Sequence, residues 1–69
     1  MWLNEDNPLT LYKRRNHKEW VEIAKETSLS VSTLIRIAMK NKNSITKTTY
    51  DSVNKIKNIL GIDIINDWI

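Results

Sequence analysis

The stretch Ile23 to Ile37, IAKETSLSVSTLIRI, leaves this chain little conformational choice. Trp20, Ile23, Ala24 and Thr27 recur at i, i+3, i+4 and i+7, the spacing of one face of an α-helix. A second helical pattern follows at once. Val31, Leu34, Ile35 and Ala38 fall on overlapping faces, with Ile37 beside Leu34. Only Thr27-Ser28-Leu29-Ser30 lies between them, too short a connection for the helices to separate. Ser30 suits the N-cap of the second helix, because its hydroxyl can accept from the unpaired N–H of Ser32 or Thr33. Leu29 can pack on Thr33 or Leu34 and close the corner as a hydrophobic staple. Ala24 is small where one helix must approach another.

Two helices joined by so short a turn form a helix-turn-helix pattern, whose second helix would read DNA. The run Ile23-Ala24-Lys25-Glu26, then Leu29-Ser30-Val31-Ser32-Thr33-Leu34 and Arg36-Ile37, resembles the phage-repressor (Cro-like) and lactose-repressor helix-turn-helix families. There, a small Ala sits on the first helix, an apolar residue opens the turn, and Ser/Thr plus Arg decorate the second helix. The resemblance covers this core closely and Ile45 to Gly61 more loosely; the first twenty residues match no motif. One departure is Ser28, which stands where the turn usually holds Gly. A Ser at φ > 0 costs about 1 kcal/mol.

Sixty-nine residues allow one domain with a small core. The chain has no cysteine, hence no disulfide and no thiolate metal site, as fits a reducing cytoplasm. Its acidic, polar beginning is unlike a signal peptide, and no apolar run reaches membrane-span length. Eleven Lys+Arg against eight Asp+Glu give a net charge of +3, which favours a polyanionic partner. More telling is where the acids are missing. From Thr27 to Tyr50 there is none, while Arg36, Lys40, Lys42 and Lys47 are all basic. A carboxylate on a DNA-facing surface would be repelled by phosphate, so such a surface requires this gap.

Residues 1–7 read as a loosely docked arm, with Trp2 and Leu3 able to plug a groove on this domain or on a partner. Asn7-Pro8 starts a helix, cap then Pro at the first helical position, which runs to Arg15 with Leu9, Leu11 and Tyr12 facing a core. Lys13, Arg14, Arg15, His17 and Lys18 form the densest basic patch. It is either a solvated helix end favoured by the dipole or a phosphate contact. Asn16 to Glu19 has the form of a capping box for a helix over 17–27. A third helix spans 31–40, and Thr46 is placed to cap a fourth that ends at Leu60. Gly61 stands where a left-handed residue is wanted. The apolar tail from Ile62 either closes the core as a fifth short helix capped by Asp63 or forms a dimer surface. The resemblance favours the fifth helix.

These readings add up to an all-α, compact four- to five-helix bundle over 8–69 that contains a helix-turn-helix. Val31 and Ser32 are the exposed first-turn positions of the third helix, and they match base-contacting positions in the families resembled. Arg36 lies four residues beyond Ser32, on the same face, and completes the expected base contacts. Ser30, Thr33, Lys40, Lys42, Asn43, Thr46 and Lys47 are the expected phosphate contacts. Ile64, Ile65, Trp68 and Ile69 are the candidate dimer contacts.

Other chemistries find little support. One histidine, no apolar carboxylate pair and a single glycine argue against an enzyme, a metal site, a cofactor or a phosphate-cradling loop. The expected activity is sequence-specific binding of double-stranded DNA by a small cytoplasmic regulator, a repressor of phage or mobile-element type. The alternative is a protein-binding module that uses the same scaffold to inhibit a host nucleic-acid enzyme. RNA binding is disfavoured, because the five aromatics do not pair into a stacking platform.

Overall fold

The structure, a computed structural model, describes residues 3–46 and 49–67 together with all their side chains except that of Lys42. Within these residues four α-helices follow one another: α1 (Pro8–Arg15), α2 (Trp20–Thr27), α3 (Val31–Ala38) and α4 (Tyr50–Leu60), with a 3-10 turn at Lys42–Ser44. Among the described residues there is no strand. The radius of gyration is 10.6 Å, close to the ~11 Å expected of one packed body of this length.

α1 begins as its sequence dictates. Asn7 is extended (φ −70°, ψ 127°), and its side chain accepts from the Leu9 N–H at 2.9 Å ahead of Pro8. Its end differs from expectation. Asn16, anticipated as the cap of the second helix, instead closes the first: its N–H and its Nδ2 both donate to the Tyr12 carbonyl, at 3.1 and 2.9 Å. His17 turns left-handed (φ 51°), with His17 N–H on Arg14 O and Lys18 N–H on Lys13 O. These two bonds are the Schellman pair. α2 therefore starts three residues later than expected, at Trp20, and the Glu22 carboxylate accepts from the Glu19 N–H at 3.3 Å.

α2 packs on α3 and α4, and α1 packs on α3. The shared core is Leu9, Ile23, Leu34, Ile37, Ala38, Val53, Ile56 and Ile64. Ala24, Leu29, Trp20, Ile45 and Leu60 pack partly buried around it. Three polar side chains are also fully buried: Asn7, Thr10 and Thr27. Each has its bonds. Thr27 Oγ1 donates back to Ile23 O at 2.8 Å.

Asn7 and Thr10 serve the far end of α3. Asn7 Nδ2 donates to Ile37 O (2.8 Å), and Thr10 Oγ1 donates to Ala38 O (3.2 Å). Asn4 adds its N–H to Ala38 O and its Nδ2 to Lys40 O, both at 3.0 Å. The last carbonyls of a helix have no partner within it. Here a distant segment supplies partners, and α3 stops at Ala38 rather than Lys40. Residues 3–7 are thus tied to the body of the domain, and Leu3 packs partly buried on the core.

α4 starts at Tyr50, because Thr49 folds back on Thr46 O through both its N–H (3.0 Å) and its hydroxyl (2.7 Å). It ends on Gly61 in the left-handed region (φ 75°), whose N–H reaches Lys57 O at 2.9 Å. The tail closes the core as anticipated, but not as a helix within the described residues. Asp63 Oδ1 caps one turn over 64–66, accepting from Ile65 N and Asn66 N at 3.1 Å, and this turn seats Ile64 inside.

Candidate functional site

The corner between α2 and α3 is built from the residues that suggested it. Ser28 is left-handed (φ 59°, ψ 24°), the conformation for which glycine is better suited. Leu29 N–H reaches Thr27 Oγ1 at 3.4 Å, and the Leu29 side chain lies against the core. Ser30 is extended (φ −74°, ψ 153°), and its Oγ accepts from Thr33 N–H at 3.1 Å. The two hydroxyls, Ser30 Oγ and Thr33 Oγ1, sit 2.8 Å apart. Either hydroxyl can donate to the other.

α3 divides sharply into two faces. Leu34, Ile37 and Ala38 are buried; Ser32 and Arg36 are exposed, and Val31, Thr33 and Ile35 are intermediate. Ser32 and Arg36, both expected base contacts, stand on one exposed face at i, i+4. Val31 lies at its margin. The same face holds two residues that the sequence reading assigned to no contact. Ile35 follows Ser32 by three residues and Met39 by seven, and Met39 is 45% exposed. Apolar residues next to core positions are read as core by default; counting i+3 and i+7 from Ser32 would have found them.

Beyond α3, Lys40 is half-buried at its base, and Asn43 and Thr46 are exposed. Asn41 Oδ1 accepts from Asn4 Nδ2 at 3.3 Å. The Lys42 side chain and Lys47 lie outside the described residues, so this strip is described through Lys40, Asn43 and Thr46.

Ion pairing separates the cations into two groups. Arg14 holds the Glu5 carboxylate with both Nε and Nη2, Lys18 pairs with Glu26, and Lys57 pairs with Asp63 at 3.5 Å. The Lys13 ammonium stands 5.4 Å from the centre of the Trp20 ring. The basic patch on α1 is therefore largely engaged within the chain. Glu26, and after it the Tyr12 hydroxyl, hold the Lys18 ammonium well above the ordinary lysine range. Arg15, Lys25, Arg36, Lys40 and Lys55 have no carboxylate partner among the described residues.

The candidate dimer contacts divide as well. Ile64 is fully buried within its own chain, which removes it from any surface. Its place at the core comes from the Asp63 turn, a contact that tail hydrophobicity alone does not distinguish from a dimer face. Ile65 is 38% exposed, while Trp68 and Ile69 lie outside the described residues, as does Trp2.

Among the described residues, no group of three or more His, Cys, Asp or Glu could hold a metal ion, and no helix is long and apolar enough to cross a membrane. A cavity of about 270 Å³ opens between α1 and the tail, lined in part by Tyr12, Arg15, Ile62 and Asp67; none of its lining comes from α3. No family model, curated protein or solved structure matches the chain.

Proposed function

We propose that this chain binds double-stranded DNA through α2 and α3 acting as a helix-turn-helix, with α3 in the major groove. Its role is that of a small transcriptional regulator, a repressor of the kind carried by phages and mobile elements. The observation that carries this reading is the exposed face of α3, where Ser32 and Arg36 stand with Lys40 beyond them and no acid occurs between Glu26 and Asp51. Arg14, Lys18 and Lys57 are paired with the chain's own carboxylates; among the described residues Arg15, Lys25, Lys55, Arg36 and Lys40 are not, and of these Arg36 and Lys40 lie in the acid-free stretch. A surface whose positive charge is left uncompensated suits a polyanion, because phosphate contact releases condensed counterions. The resemblance of Ile23 to Ile37 to the phage- and lactose-repressor families supports the same use of α3.

In this reading Arg36 pairs with guanine O6 and N7, and Ser32 donates or accepts at a neighbouring base edge. Ser30, Thr33, Lys40, Lys42, Asn43, Thr46 and Lys47 grip the backbone and set register. Ile65 with Trp68 and Ile69 would join two copies, giving half-sites about 34 Å apart.

The test is selection of duplexes from a random-sequence library by the purified chain at two salt concentrations. A specific regulator enriches a defined site and loses affinity steeply with salt, with a log–log slope of about −0.9 per phosphate engaged. Failure to enrich any duplex at the lower salt would remove the reading. Tight binding to a host nucleic-acid enzyme, unchanged by Arg36→Ala, would then favour the protein-binding alternative.

A further inference from the structure

α3 carries more apolar side chains than the core takes. Leu34, Ile37 and Ala38 go inside, whereas Val31 and Ile35 are only half-buried and Met39 is 45% exposed. Ser32, Ile35, Arg36 and Met39 stand at i, i+3, i+4 and i+7 and so share one face of the helix. Arg36 therefore has two apolar side chains along one flank on the surface that the proposed function turns toward DNA.

We infer that Ile35 and Met39 read thymine methyl groups at base pairs next to the guanine taken by Arg36. The inference rests on the DNA-binding reading and specifies the class of site it recognises. In the major groove the thymine C5-methyl is the apolar mark that separates an A·T pair from the others, and apolar side chains are its natural partners. With its side chains an α-helix such as α3 is a cylinder about 10–12 Å across, matching a groove about 12 Å wide. Arg36 and its neighbours can then meet bases together. Charge selects duplex DNA over an apolar protein groove, because Arg36 and Lys40 flank this face and no acid occurs between Glu26 and Asp51. Met39 is unbranched and can adjust to the methyl's position, while Ile35 is stiff and half-fixed by its neighbours. The site read is thus a guanine adjoined by thymines, not a run of G·C pairs.

Removing only the methyl tests this. The duplex enriched by selection is remade with deoxyuridine in place of single thymines, which leaves every hydrogen-bonding group unchanged. Binding of the full chain is measured for the parent, Ile35→Ala and Met39→Ala, with thermal melting to verify folding. The parent should lose about fourfold in affinity at each thymine beside the guanine, the worth of one buried methyl. Met39→Ala should bind the thymine and uracil versions of its base pair within twofold of each other, and Ile35→Ala should do so at a different pair. Met39 is exposed, so its variant reports even if Ile35→Ala folds poorly. A parent that binds its selected site but treats thymine and uracil alike at every position overturns the inference and leaves DNA binding standing. Absence of any enriched duplex removes both.

Discussion

The side chain of Asn7 donates through Nδ2 to the carbonyl of Ile37 at 2.8 Å, and so joins the N-cap of one helix to the last turn of another. Its Oδ1 meanwhile accepts from Leu9 N–H at 2.9 Å. One buried amide thus caps α1 at its start and α3 at its end. An amide alone offers both functions, since a carboxylate cannot donate and a hydroxyl is too short to span the gap.

Replacing Asn7 with Ser should therefore keep the cap on α1 and remove one of the two hydrogen bonds to the Ile37 carbonyl, which Lys40 N–H also reaches at 3.1 Å. The expected cost is about 0.5–1.5 kcal/mol, the net worth of one hydrogen bond. Asn7→Ala should cost more, because it also removes the cap. Chemical denaturation of the three proteins checks the order; an Asn7→Ser variant as stable as the parent would contradict the dual role.

Ser28 lies at φ 59° without the freedom of glycine. Ser28→Gly should stabilise the domain by up to about 1 kcal/mol, since relief of left-handed strain outweighs the added chain entropy. A fall in melting temperature would show that the Ser28 side chain makes a contribution the backbone geometry does not reveal.

Asp63 is held below the ordinary carboxylate range, first by the Asn66 side chain and then by backbone N–H groups and Lys57. A depressed value means that the charged form is favoured in the folded state. Its contribution is present above the ordinary carboxylate value and disappears as pH falls through the depressed one. Melting curves of the parent and Asp63→Ala should therefore differ at neutral pH and converge in acid. A difference that persists undiminished at low pH would exclude the charge as the cause.

Arg36 is expected to read guanine with a planar, two-pronged donor. Arg36→Lys keeps the charge but loses the fork. The variant should lose preference at one base pair per half-site, by about 1–3 kcal/mol, and keep most non-specific affinity. Repeating the selection with the variant checks this; an unchanged preferred site would make Arg36 a phosphate clamp.

Two helix beginnings were legible in this chain, and two were not: Asn16 and Thr46 were expected to cap α2 and α4, which start at Trp20 and Tyr50. Asn7-Pro8 and Ser30 carry their own acceptors, and Gly61 marks an end, so local chemistry suffices at each. Asn16 misled because asparagine can serve either end of a helix; the choice fell to the Schellman turn through His17. The stop at Ala38 was invisible locally, since its partners Asn4, Asn7 and Thr10 are remote in sequence. On α3, the exposure of Ser32 and Arg36 follows from their spacing against Leu34 and Ile37. Ile35 and Met39 escaped notice because apolarity by itself argues for the interior, and only packing decides which residues are left out.

The remote capping of α3 also bears on how long the domain stays folded once it has formed. The bonds from Asn4, Asn7 and Thr10 close loops of 28 to 36 residues. Loop-closure entropy must be met before such contacts contribute, whereas the α2–α3 corner forms from near neighbours. We expect the corner to belong to the folding nucleus and the amino-terminal clasp to engage after the rate-limiting step. Weakening the clasp should then steepen escape from the native state without slowing arrival there. In stopped-flow kinetics, Asn7→Ser should raise the unfolding limb and leave the refolding limb in place; a slowed refolding limb would put the clasp in the nucleus instead. On this view the residues that reach the terminal carbonyls of α3 act as a latch, governing the dwell time of α3 in its working shape.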